Sequence, residues 1–373
     1  MANLLLDGHK LAHHFDRVKA WEAGERIAPV SVDMALGRQC QASCRGCYAV
    51  LQESQERSQL KWDHLKGLIE DFATIGVRGV SLVSDGESTL HPNYGDFIEL
   101  AHKSGISVGN ATNGWRFFPE LADRVLPHLE WVRFTVLAGR PEAYLRMMHD
   151  DQQDKEIYWT AMQNISQAVA IKRKKNLPVT LGIQTFVTPQ DVDEIIPFAR
   201  LAIDLGVDYA MVKHTSDDES GANGVDYSAY GPVMRAIREA EKLSTPQTLI
   251  TAKWSKLSGE ASWPPPYRRV YGCAFLLQLS GSGLVAPSGM FFNARHSKLH
   301  IGDFTQERFI DIWRSDRYWR AQNYLASPAF DAATMMGSLP IQHYANVALD
   351  RHVRGIERIQ PAVGEAPLHV NFL

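Results

Sequence analysis

The chain has 373 residues, 45% of them hydrophobic, and a formal net charge of −3 from 39 Lys and Arg against 42 Asp and Glu. That length suits one barrel-sized domain with an appendage rather than two independent cores, and the balanced charge gives no electrostatic reason to bind nucleic acid or an anionic membrane. No run approaches the roughly 18 apolar residues of a membrane span, and Met1–Asp7 lacks the basic and apolar regions of a signal peptide, so a cytoplasmic location is expected.

Residues 1–28 read as a polar, His-rich lead-in, with His9, His13 and His14 close together and Trp21 nearby. A surface helix packed on the bottom of a barrel accounts for them better than a metal site. An apolar run, Pro29–Leu36, then leads into Gly37–Tyr48, which places Cys40, Cys44 and Cys47 in a C-x3-C-x2-C spacing. Three of only four cysteines lie in that loop, a pattern unlike a disulfide framework. Three thiolates on so short a segment can curl round one inorganic centre, because each residue spans at most about 3.4 Å. Structural zinc usually takes four ligands in paired motifs, and no second pair follows. A four-iron cubane on three cysteines leaves one iron open for another ligand. A zinc knuckle or reduced structural thiols remain the alternatives from spacing alone.

The cysteine loop resembles the signature of the radical S-adenosylmethionine (radical SAM) superfamily. The resemblance implies one [4Fe–4S] cluster on Cys40, Cys44 and Cys47, with the open iron chelating the amino and carboxylate groups of S-adenosylmethionine (SAM). It also implies a low-potential reductant such as flavodoxin or ferredoxin. Reductive cleavage of SAM would then give methionine and a 5′-deoxyadenosyl radical, which abstracts hydrogen from a substrate C–H bond.

From residue 29 to about 245, six apolar β-rich runs alternate with helical patterns, as parallel strands with crossover helices do. The predicted strands are Val30–Ala35, Gly79–Val83, Ile106–Ala111, Val132–Leu137, Val179–Phe186 and Tyr209–Lys213. Helical spacing is clear in Leu65, Leu68, Ile69 and Phe72, and again in Val192, Ile195, Ile196 and Ala199. The fold class expected is α/β, a partial (β/α)6 radical SAM barrel with a small α+β C-terminal extension. Chemistry in such folds sits at the C-terminal ends of strands, and the polar clusters fall there. Gly86, Glu87 and Ser88 follow the second strand, Thr112 and Asn113 the third, and Thr135 lies on the fourth. Gly86 would let backbone approach a ligand, and Glu87 would accept hydrogen bonds from an ammonium group. The family places a Gly-Gly-Glu-type motif, a Thr-Asn-Gly and a Ser at these points to hold SAM. Asp85 for Gly and Thr135 for Ser are departures. Gln184 on the fifth strand and Lys213 ending the sixth resemble a subgroup in which both face the active site, Lys213 being suited to a carboxylate or phosphate.

A helix is expected around Val225–Leu243, and Trp263-Pro264-Pro265-Pro266-Tyr267 reads as a linker. Beyond it come a hairpin, Cys273–Leu279 with Gly283–Pro287, then His300–Asp303 and a helix from Phe309 to Ser315. The division expected is a lead-in (1–28), the partial barrel (29–245), a linker (246–268) and an extension (269–373) that resembles SPASM or Twitch domains. Those domains hold auxiliary clusters, but here Ser288 replaces an expected cysteine, Met335–Pro340 contains none, and only Cys273 is left over. His296, His300 and His343 are the remaining candidate ligands.

The activity expected is therefore hydrogen abstraction from a small molecule of sugar, cyclitol or nucleoside type. Cys273 is the candidate hydrogen-atom donor of an epimerase, against the reading of a buried small hydrophobe. The alternatives are a dehydrogenase, dehydratase or rearrangement enzyme, a peptide maturase, and a non-catalytic iron–sulfur redox sensor.

Overall fold

The computed structural model describes residues 4–52, 58–148, 156–257, 264–337 and 340–373. Its strands are β1 (Ser31–Met34), β2 (Gly79–Leu82), β3 (Ser107–Thr112), β4 (Trp131–Thr135), β5 (Thr180–Val187), β6 (Tyr209–His214), β7 (Leu249–Ala252), β8 (Leu276–Leu279), β9 (Leu284–Ala286) and β10 (Gly302–Asp303). They form one ten-stranded sheet in the order β10-β9-β8-β1-β2-β3-β4-β5-β6-β7. Pairing is parallel from β8 through β7, and β9 and β10 add antiparallel at one edge.

The six predicted strands are all present, as β1 to β6. Two more parallel strands flank them. β7 lies within the stretch read as a linker, where four residues are too few to display a period. β8, read as one arm of a separate hairpin, pairs with β1 in the register Ser31↔Leu276 while keeping β9 as its antiparallel partner. Val30 and Ser31 also donate to the Phe275 carbonyl at 2.8 and 3.2 Å. The C-terminal hairpin therefore extends the barrel sheet, since hydrophobic patterning encodes which face of a strand is buried but not which strand lies beside it. Trp263, Ser338 and Leu339 lie outside the described residues.

Helices cover the outer face. Trp62–Ile75 buries Leu65, Leu68, Ile69 and Phe72, as their spacing predicts. The ring of Phe72 meets Phe309 edge-on at 5.0 Å, and Arg308 reaches Asp71 at 2.6 Å, so the C-terminal helix Phe309–Arg314 rests on a barrel helix. The helix expected near Val225 is Gly231–Glu241, preceded by a turn at Tyr227–Ala229. Among the described residues no helix is long and apolar enough to cross a membrane.

Both ends of the described chain close the barrel bottom. Lys10 Nζ donates to the Phe372 carbonyl at 2.5 Å, His14 Nε2 meets the Val370 carbonyl at 3.0 Å, and Asn371 Nδ2 donates to Ser107 Oγ at 2.9 Å. Phe372 packs edge-on to Trp131 at 5.5 Å. Trp131 and Tyr209 lie inward over Gly109 and Gly182, where any Cβ would strike their rings.

Candidate active site

The cysteine loop is fixed by backbone contacts on three sides. Gly86, after β2, and Gly281, in the β8–β9 turn, both press on the backbone of Gly37, and a Cβ at either would collide with it. Glu87 N donates to Gln39 O at 2.8 Å, Ser43 N to Met148 O at 3.1 Å, and Arg45 N to Met147 O at 2.8 Å. The Arg45 guanidinium pairs with the buried carboxylate of Asp191. Gly86, expected to admit a ligand, lines the cavity and also approaches the loop that carries the cysteines.

Cys40, Cys44 and Cys47 open onto one cavity of about 470 Å³, inside the range of about 300–1,000 Å³ common for small-molecule sites. Burial pushes the Cys40 thiol up to about 12, with Glu87 and Cys47 adding to the effect, and raises Cys44 and Cys47 as well. Three crowded thiols held from ionising are a site for a cationic centre, because metal coordination removes the proton and supplies the missing positive charge. Three thiolates without a second cysteine pair suit a cubane that leaves one iron open better than a four-ligand zinc site.

The polar residues after β2, β3, β4 and β5 form two groups. Thr112, Asn113, Thr135 and Gln184 line the cavity. Gln184 Nε2 donates to Thr135 Oγ1 at 3.1 Å, leaving Gln184 Oε1 buried with no donor. Asn113 Oδ1 accepts from Trp115 N at 3.0 Å and Gln41 Nε2 at 3.4 Å. The second group, Glu87 and Ser88, is absent from the described cavity lining. Glu87 Oε1 accepts from Thr89 N (3.2 Å), Thr89 Oγ1 (2.6 Å) and Thr112 Oγ1 (2.8 Å), and Oε2 accepts from Asn113 N (2.8 Å). Its carboxylate, expected to meet an ammonium, is a clamp between the β2 and β3 loops. Ser88 Oγ accepts from Leu36 N at 3.3 Å.

Cys273 is fully buried and absent from the described lining of the cavity, with burial alone raising its thiol, a setting that suits a small core hydrophobe. His296 meets Glu219 (3.0 Å) and lies edge-on to the Phe291 ring, His300 meets the Phe291 carbonyl (2.8 Å), and His343 meets the Tyr267 hydroxyl (3.0 Å).

Comparison with known proteins turns this geometry into an assignment, because the description "Radical SAM superfamily" matches residues 34–199, from β1 into the helix after β5. The chain carries a radical SAM domain. It is similar to the AdoMet-dependent heme synthase of Methanosarcina barkeri, 21% identical over 318 residues that cover 79% of this chain and 84% of that one. It is also similar to the mycofactocin maturase MftC of Mycolicibacterium smegmatis, 23% identical over 302 residues covering 79% and 72%. In fold it resembles Streptococcus suis SuiB bound to S-adenosylmethionine, with a TM-score of 0.62, 13% identity, and coverage of 82% and 71%. The chain is an enzyme that carries this radical SAM domain on a mixed α/β fold built on a large parallel sheet, and the cofactors of that family are a [4Fe–4S] cluster and SAM.

The radical SAM cavity also contains residues that the sequence reading did not select: Asp33, Arg133, Lys253, Lys256 and Tyr344 join Lys213 and His214 along its wall. Asp33 and Arg133 sit mid-strand in β1 and β4. A charge inside an otherwise apolar strand was the available signal, since such a residue must face a polar interior or a partner. Lys253 and Lys256 fell in the presumed linker and carried no signal of their own.

Proposed function

We propose that this radical SAM enzyme acts on a small molecule held inside the barrel, with Cys40, Cys44 and Cys47 holding the cluster and Asn113, Thr135 and Gln184 contacting SAM. The observation that carries the reading is that the three thiols share one cavity with these inward polar side chains while the ends of the described chain close its floor. The unpaired Gln184 Oε1 is an acceptor awaiting a donor, and a buried acceptor without one is costly. When bound, the cluster and SAM supply one-electron cleavage and a carbon radical strong enough to take hydrogen from an unactivated C–H bond.

The chain's own residues bind, orient and shield. Glu87 sets the spacing of the β2 and β3 loops, which positions Thr112 and Asn113. Trp131, Phe372 and Leu373 exclude water from below, protecting a reactive intermediate from side reactions. Met290, Phe292 and Ile341 from the C-terminal segment, which resembles a SPASM or Twitch extension, form part of the opposite wall. The substrate reading is a sugar, cyclitol or nucleoside-like molecule, with a peptide as the alternative. Because Cys273 is absent from the described cavity lining, rearrangement, elimination or oxidation is favoured over epimerisation with that thiol as donor.

The test is anaerobic incubation of the iron-loaded enzyme with SAM and dithionite. Wild type is expected to release 5′-deoxyadenosine and Cys44→Ala to release none. Fully iron-loaded wild type that yields no 5′-deoxyadenosine, or a Cys44→Ala protein that yields as much, would overturn the reading.

A further inference from the structure

The wall of the cavity formed by β4, β6 and β7 gathers basic side chains. Arg133 projects inward from β4, its guanidinium over the Trp131 ring at 5.3 Å and its Nε buried without a partner. Lys213 projects from the end of β6. Lys253 follows β7 directly, its backbone N–H bonded to Val212 O at 3.0 Å, which sets the two lysines on adjacent strands. Lys256 lies one turn further on, and the Tyr344 ring sits 4.8 Å from Lys253 Nζ and 5.3 Å from Lys256 Nζ. Lys253 Nζ donates to the Leu6 carbonyl and Lys256 Nζ to the Pro340 carbonyl.

Among the described residues that line the cavity, acids are fewer than bases. Asp7 lies beside Lys253 and Lys256 and is bound by Ser255 and Tyr344. Asp85 is paired with Arg38 and the β8–β9 turn. Asp33 faces Arg133, but burial pushes it up to about 7, which leaves it only partly ionised near neutrality. Burial and the like charges of Arg133, Lys253 and Lys256 hold Lys213 well below the usual lysine range. SAM does not supply the missing negative charge, because its one carboxylate comes with an ammonium and a sulfonium. An independent observation points the same way: His214, 5% exposed, lines the cavity with both ring nitrogens unpartnered.

We propose that the substrate is an anion, bearing a phosphate or at least two carboxylates, whose acidic end is held by Arg133, Lys213 and His214 with Lys253 and Lys256 behind them. The inference rests on the substrate binding in the radical SAM cavity. Charge-assisted hydrogen bonds from a guanidinium and ammonium groups are the strong kind, and a desolvated cationic wall gains most from a ligand that brings the opposite charge.

The experiment is calorimetric titration of the anaerobic, SAM-bound holoenzyme with inorganic pyrophosphate and, separately, with citrate. One of the two is expected to bind at one site per chain, and about tenfold or more weaker in Lys213→Met and in Arg133→Met. The tighter anion identifies phosphate or polycarboxylate recognition. Lys242→Met, at an exposed lysine paired with Glu239, is the control and should bind as wild type does. Failure of both anions to bind, or equal weakening in the Lys242 control, overturns the inference. Should Lys213→Met not fold, Arg133→Met gives the same readout. An enzyme that binds an anion here yet forms no 5′-deoxyadenosine overturns the functional reading alone; one that forms it and binds neither anion overturns only the anion site.

Discussion

Asp85 Oδ2 accepts a hydrogen bond from Ser280 Oγ at 2.5 Å across 195 residues of chain. Asp85 Oδ1 accepts from Gly281 N at 2.9 Å, and Arg38, two residues before Cys40, pairs with the same carboxylate at 3.2 Å. One side chain thus joins the β2 loop, the C-terminal hairpin and the cysteine loop. The family pattern has glycine at this place, and the aspartate's use here is as a buried cross-link. Asp85→Ala should strand the Arg38 guanidinium and two donors, at a cost of about 3–5 kcal/mol, and should lower iron content. Anaerobic urea unfolding and iron analysis check this; a variant with wild-type stability and full iron sinks the idea.

The four cysteines should separate cleanly. Alanine at Cys40, Cys44 or Cys47 is expected to abolish iron binding and the visible absorbance of the cluster. Cys273→Ala should keep both, and lose about 1–2 kcal/mol of stability through the small cavity left in the core. Loss of the cluster absorbance in Cys273→Ala would contradict the assignment of that thiol to the core.

Glu87→Gln tests the loop clamp. The amide group must replace one carboxylate oxygen and so face a donor with a donor, costing about 1–3 kcal/mol. SAM affinity is expected to fall by about fivefold or more, since Thr112 and Asn113 lose their common anchor. Equilibrium binding of SAM to the iron-loaded variant measures it, and unchanged affinity would mean that the loops hold their spacing without the carboxylate.

Asp33 predicts a pH dependence. Burial raises its carboxyl to about 7, from about 3.9 in the unfolded chain. Between those values the folded protein binds more protons than the unfolded one, so this group's contribution to stability is full at low pH and is lost as pH rises towards about 7. Asp33→Asn cannot ionise and should gain on wild type by at least about 1 kcal/mol between about pH 5 and pH 8. Denaturant unfolding at both values gives the comparison; an equal difference at each would show that Asp33 does not titrate in this range.

Much of this molecule could be read from its sequence. The spacing of Cys40, Cys44 and Cys47, the six strands β1 to β6, and the polar residues at their C-terminal ends are local features: each depends on residues within a few positions, and strand patterning and ligand spacing are written at that range. Thr112, Asn113, Thr135, Gln184 and Lys213 accordingly line the cavity as expected.

What the tertiary structure alone decided are relationships between residues far apart in the chain. That β8 lies beside β1, that Asp85 reaches Ser280, and that Cys273 is sealed in the core all follow from which surfaces meet, and no local pattern records that. The same holds for the cationic wall. Arg133, Lys213 and Lys253 look like unremarkable single charges on separate segments, and only their convergence on one enclosed space, where water no longer screens them, makes them a site.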